Sequence, residues 1–334
     1  MQNPFDNPAF SMAEMTKAIN ILPNRYGRIG QLNLFPERGV RTRQILVEYK
    51  AGRLSLLPSK PVGADGSKHI NEKRQFRTFS VPHIPHDGDI MPDEYQGIRA
   101  FGSSSELQQL SQLMNDKLQS MRNKHAITLE HLRMGAVKGQ VLDSDGSVIY
   151  DWFDEFKLKQ HKVDFKLDDP KTEILTKCLE VLDTIEESLE GEFMTGIRAL
   201  VSREFFHKLI THPKVKEAYE RWRNGEALRT DMRAGFDFGG ITFEQYLGQA
   251  SDIEGNVRRF IAKDEGHVFP LGTMDTFETV FAPADFLETA NTIGQALYSK
   301  QETRKFNRGI DIHTQSNPLP ICYRPKVLIK LVTT

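Results

Sequence analysis

Cysteine is nearly missing from this chain, with only Cys178 and Cys322 among 334 residues. A disulfide framework is therefore not expected. One thiol sits on an apolar helix face and the other in a strand-like run, so both read as free and buried, which fits an intracellular origin. Long hydrophobic runs are missing too. Nowhere do eighteen apolar residues stand together, and the first twenty residues carry Asp6, Glu14 and Lys17, so neither a membrane span nor a secretory signal is expected. The short catalytic motifs are absent: no Gly-x-Gly-x-x-Gly behind a strand, no phosphate loop ending in Lys-Ser/Thr, no Gly-x-Ser-x-Gly elbow and no His-Glu-x-x-His helix. An enzyme is not expected, although separate Ser, His and Asp residues can still converge in space. The 21 phenylalanines are not interleaved with arginine as platforms for single-stranded nucleic acid would be.

What is present is a globular composition with an uneven charge. The hydrophobic content of 39% is enough for a substantial core, and the length allows one to three domains. The formal net charge of -1 conceals a basic front, 13 Lys and Arg against 6 Asp and Glu in residues 1–81, followed by an acidic body. Between Asp151 and Glu192 there are 13 acids against 6 lysines. Either these are two solvated faces, or the front of one copy lies on the body of the next.

The longest regular element is a helix expected from Ser103 to Gly135. Ser103 and Glu106 make a capping box. Leu107, Leu110, Met114, Leu118, Met121, Leu129 and Leu132 form a stripe at helical spacing, and Gly135 is the expected left-handed cap. His125 falls within that stripe and reads as a satisfied core histidine.

Ahead of the helix, residues 1–39 read as an arm. Ser11 and Glu14 cap a short helix carrying Met12, Met15 and Ile19, and a run of Pro23, Gly27, Gly30, Pro36 and Gly39 blocks further helix. Val40 to Val81 reads as a long hairpin: Ile45, Val47 and Tyr49 alternate with polar residues, Pro58 to Gly66 makes a tip, and Phe76 and Phe79 return. Arg41, Arg43, Arg53, Lys60, Lys68, Arg74 and Arg77 make it basic, and charge on both faces excludes a central strand pair. A lone ribbon is marginal in water, so arm and hairpin together are expected to lie on neighbouring copies.

His83, His86, Asp87 and Asp89 offer ligand types for a divalent metal. No helix aims the two imidazoles, so a hydrogen-bonded turn is expected there; the alternative is a metal-dependent hydrolase. Asp143-Ser144-Asp145-Gly146 reads as the turn of a hairpin, since a calcium loop's terminal glutamate is missing.

Residues 166 to about 307 read as mixed helix and strand. A helix is expected from Asp169-Pro170 through Leu189. Strand Ile197 to Val201 runs into a helix capped by Ser202, and Pro213 opens another. Hairpins are expected around Gly239-Gly240 and around Asp264-Glu265-Gly266, and a helix after Pro283-Ala284-Asp285-Phe286. A strand at Ile310 to His313 is broken by Pro318 and Pro320, and Val327 to Val332 closes the chain.

Several phrases, in this order, resemble the lambda-type phage major capsid protein, the protein E family: Gly97-Ile98-Arg99-Ala100-Phe101-Gly102; Gly239-Gly240-Ile241-Thr242-Phe243-Glu244-Gln245-Tyr246; His267-Val268-Phe269-Pro270-Leu271-Gly272; Phe281 through Gly294; and Ser316-Asn317-Pro318-Leu319-Pro320. The resemblance implies an α+β Hong Kong 97-like capsid fold. It implies an N-terminal arm at 1–39, an extended loop at 40–90, a peripheral domain at 91–165 and 316–334 with a spine helix at 104–134, and an axial domain at 166–315. It further implies self-assembly into hexamers and pentamers of an icosahedral head. Implied partners are scaffolding, portal and decoration proteins and packaged double-stranded DNA bound without sequence specificity. No cofactor, metal or membrane is implied, and the location is the virion, with the host cytoplasm during assembly. A nanocompartment shell of encapsulin type is the alternative within the same fold.

Overall fold

In a computed structural model, residues 7–24, 26–49, 75–96, 106–222, 232–251 and 254–333 are described. They fall into two compact units: Met1–Ile45, Thr78–Glu130 and Glu278–Pro320 make unit 1, and Leu46–Arg77, His131–Phe277 and Ile321–Thr334 make unit 2. This division cuts across the expected layout: 278–315 cluster with unit 1, and 46–77, 131–165 and 321–334 cluster with unit 2.

Unit 1 begins with α1 (Met12–Ile21), capped by Ser11, whose hydroxyl accepts the Glu14 amide at 3.5 Å. That start was legible. Contrary to expectation, the arm helix does not await a neighbouring copy for its apolar face but packs on its own chain. Phe10, Met15 and Ile19 are buried with Met114, Leu118 and Met121 of α4 (Glu106–Lys138) and with Ile310 and Ile312. Polar contacts fasten the same face: Asn20 donates to the Leu297 carbonyl at 2.9 Å, and Arg122 donates to the Ile19 carbonyl. The Gly-rich run does not block helix altogether. A single turn, α2 (Arg28–Gln31), follows Gly27, and the buried Glu130 carboxylate accepts the Ile29 amide at 2.9 Å. The carboxylate thus stands at the turn's positive end.

The chain then adds β1 (Glu37–Gly39), parallel to β14 (Phe277–Phe281), with β17 (Pro318–Cys322) on the other side of β14. Pro318 and Pro320 therefore do not interrupt the strand pattern. β17 is an edge strand, where a missing N–H is tolerated. β2 (Gln44–Tyr49) and β3 (Gln75–Ser80) form the base of the expected hairpin; its tip lies outside the described residues. β4 (Ile84–Ile90) joins β16 (Ile310–Ser316) and β15 (Tyr298–Thr303) in a three-stranded antiparallel sheet. So the His83–Asp89 stretch is mostly strand rather than turn. α3 (Pro92–Gln96) follows.

The long helix differs from expectation at its end. The Ser103 cap lies outside the described residues, and the helix runs three residues beyond Gly135 to Lys138, with Gly139 at φ +87°. Gly135 is interior because a Cβ there would lie 2.7 Å from the Gln140 carbonyl oxygen, so the bare Cα allows the chain to double back.

Unit 2 is organised on a six-stranded sheet in the order β7-β18-β13-β8-β10-β9. Its strands are β7 (His161–Asp164), β8 (Gly196–Val201), β9 (Phe236–Phe238), β10 (Ile241–Gln245), β13 (Glu265–Leu271) and β18 (Ile329–Val332). β8 and β10 run parallel, and the connection between them contains α7 (Arg203–Thr211) and α8 (Pro213–Trp222). Ser202 caps α7 as expected, its hydroxyl accepting the Phe205 amide at 3.2 Å. The closing strand docks between β7 and β13. Phe165, Phe205 and Phe243 meet edge to face in the core, with centroids 5.6 and 6.2 Å apart.

Four details differ. α6 (Ile174–Leu189) starts after Asp169, because the Asp169 carboxylate accepts the Lys171 amide and builds a turn first. α6 also buries Val181, leaving Leu175 half exposed. Asp264 to Gly266 is no hairpin: β12 (Val257–Arg259) pairs with β11 (Gln249–Ser251), and β13 enters the sheet. No helix follows Pro283. Only one 3-10 turn, Leu287–Thr289, forms, because the Thr289 hydroxyl bonds the Ala284 and Phe286 carbonyls and competes with the helical ladder. The hairpin of β5 (Gln140–Leu142) and β6 (Val148–Asp151), which leads into α5 (Trp152–Glu155), matches its expectation, as does the Gly239-Gly240 turn.

Candidate functional site

The basic residues expected to contact other copies separate into three groups. Arg41 and Arg43 are exposed. Arg53, Lys60, Lys68 and Arg74 lie outside the described residues. Arg77 differs from the expectation, since its guanidinium meets Glu155 of its own chain at 3.0 Å and lies 5.7 Å from the Phe156 ring centre. One pair between the basic front and the acidic body thus forms within the chain.

The metal candidates do not converge. Strand alternation sends His86 and Asp87 to opposite faces of β4. His83 meets the Asn317 side chain at 2.9 Å; Asp87 holds His313 at 2.5 Å; Asp89 takes Arg304 at 3.0 Å. His86 stands edge-on to His125, ring centres 6.1 Å apart. Among the described residues no group of three His, Cys, Asp or Glu side chains is placed to hold a metal. His125 is buried against Thr314, with Nε2 3.0 Å from the hydroxyl, and burial, with the nearby His86 and His313, pushes its pKa down to about 4. It is a core histidine, as its place in the stripe indicated. Burial likewise pushes the Cys178 thiol up to about 12, so it is no nucleophile at neutral pH.

Sequence reading missed the tip of the β15–β16 hairpin, residues 304–309. On the outward face of this sheet three acids stand in one cross-strand row, Glu302 opposite Asp311 and Asp311 opposite Asp89. Like charges in such a row repel. Arg304 answers them, donating Nε to Asp311 at 2.7 Å and Nη2 to Asp89 at 3.0 Å. This anchors a turn in which Phe306 takes φ +64° and is 88% exposed, with the Arg308 guanidinium 5.6 Å from its ring centre. The available signal was Asn307-Arg308-Gly309 after a strand, a turn composition. Below the tip, on the same sheet, is an open groove of about 500 Å³ lined by Asp87, Phe286, Lys300, Glu302, Asp311 and Ile312, among others.

Among the described residues, the side chains singled out above do not converge on a catalytic constellation. Residues 11–333 match the family described as Phage major capsid protein E. The chain belongs to the phage major capsid protein E family. Among its relatives, the major capsid protein of Pseudomonas phage KPP10 is 32% identical over 338 residues, covering 96% of each chain. The major capsid protein of Salmonella phage Felix O1 is 32% identical over 352 residues, covering 96% of this chain and 95% of the relative. A crystal structure of a prophage protein from E. coli CFT073 superposes with a TM-score of 0.62 at 15% identity, over 97% of this chain and 99% of that one. The mature capsid of bacteriophage PhiM1 gives 0.51 at 12% identity, over 94% and 89%. The fold of this E-family chain is the Hong Kong 97-like capsid fold. No described helix is long and apolar enough to cross a membrane.

Proposed function

We propose that this chain is the major capsid protein of a phage, closing an icosahedral head from hexamers and pentamers of itself around double-stranded DNA. The observation that carries this reading is the match to two major capsid proteins over almost the whole length. A neighbouring copy is contacted through Arg41 and Arg43, ahead of β2, and through Arg53, Lys60, Lys68 and Arg74, between β2 and β3. Scaffolding, portal and decoration proteins act with it, assembly takes place in the host cytoplasm, and the protein has no catalytic role. No specific observation favours the nanocompartment alternative. The test is electron microscopy of the protein produced together with the head proteins of its own phage. Closed particles containing DNA are expected; particles that enclose only a cargo enzyme would replace this reading by the nanocompartment one, and soluble monomers would remove both.

A further inference from the structure

An aromatic residue held at positive φ and left in water is costly twice over, in backbone strain and in exposed apolar surface. Phe306 has both, at φ +64° and 88% exposure, and its turn is held in place by the Arg304 bonds to Asp311 and Asp89. Structure of this kind preorganises an anchor, because an aromatic fixed before contact loses little freedom on binding. The tip is cationic: among the described residues Lys305 and Arg308 have no ion-pair partner, and Arg308 stacks on the Phe306 ring. The groove on the same sheet has the opposite character. It offers the Phe286 ring, over buried Ile312, and the carboxylates of Asp87, Asp311 and Glu302. Of these, Asp87 meets His313 and Asp311 is held by Arg304, so that Glu302 is the acid left open. Its one ammonium, Lys300, is already held by Glu288 at 2.8 Å, and Glu302 has no ion-pair partner among the described residues.

We infer that Phe306 of one copy seats in the Phe286–Glu302 groove of a second copy, with Lys305 and Arg308 against its carboxylates. The occupant is this same chain, because the charges of tip and groove are complementary and the family builds shells from one repeated chain. Knob and socket are different patches, so the contact is head-to-tail and closes rings when the rotation permits. This inference rests on the shell reading.

The test compares full-length variants under conditions that assemble the wild type, reading the assembled fraction by sedimentation and the free chain by its melting temperature. Phe306→Gly suits the turn better than phenylalanine does, since glycine takes positive φ freely. It is expected to melt no lower than wild type, yet to raise the concentration needed for assembly at least tenfold. Lys305→Glu with Arg308→Glu is expected to do the same, and adding Glu302→Lys to that chain is expected to restore assembly. Wild-type assembly by Phe306→Gly would overturn the anchor. Folded charge variants that the third change fails to rescue would overturn the groove. Failure of the shell reading looks different, since the wild type itself would then form no particles.

Discussion

At the scale of single residues, buried polar groups decide most. His125 is neutral in the fold because its pKa stands at about 4 instead of 6.5. As pH falls from about 6.5 to about 4 the unfolded chain takes up this proton and the native chain does not, so stability declines through that window by about 3 kcal/mol in total. His125→Asn, which keeps a donor near Thr314, is expected to flatten the acid limb of a melting-temperature profile between pH 7 and pH 4.5. An unchanged limb would assign the acid sensitivity elsewhere. Glu192, only partly buried, ties distant segments together: its carboxylate accepts the Met274 and Asp275 amides and the Thr276 hydroxyl, each at 2.8 Å, and meets Arg324 at 3.2 Å. Glu192→Ala removes all of these bonds, which water replaces in part, and is expected to cost about 1–3 kcal/mol in denaturant unfolding. The sequence showed His125 within an apolar stripe, so its burial was legible. Glu192 lies 82 residues from Met274, and no local pattern could join them.

At the scale of elements, what was legible was whatever is local. The Ser11 and Ser202 caps and the Gly239-Gly240 turn each follow from a few neighbouring residues. The end of α4 was misplaced because two glycines stand four apart, and only the returning chain shows which has positive φ. Gly139→Ala forces a Cβ into the Phe153 ring at φ +87°, and is expected to destabilise by about 2–4 kcal/mol, whereas a glycine that merely caps would cost about 1. The arm was misjudged for a related reason. Its own apolar residues are too few for a core, and sequence does not reveal that α4 and the β15–β16 hairpin supply the rest. Ile19→Ala is therefore expected to cost about 2–4 kcal/mol in the unassembled chain. A change below about 0.5 kcal/mol would mean that α1 is undocked in solution.

At the scale of the whole molecule, the ordered phrases pointed to the capsid family, to which the chain belongs. The charge split is compatible with two solvated faces or with contact between copies. Yet Arg77 and Glu155 bind within one chain, so reversal of Arg77 disturbs the subunit itself. Arg41 and Arg43, exposed near the base of the hairpin, are the cleaner pair to reverse. Their double change to Glu is expected to leave the free chain's melting temperature within about 2 °C of wild type, while reducing particle yield severalfold by gradient sedimentation. The central claim is that this chain, with its arm helix docked on its own α4, repeats to close a shell. Electron cryomicroscopy of particles from its own phage tests that most directly. The account predicts an icosahedral lattice in which each density takes one Hong Kong 97-like subunit and residues 12–21 lie on α4 of the same subunit. A shell built from some other chain, or one in which every 12–21 helix sits on a neighbour, would contradict it.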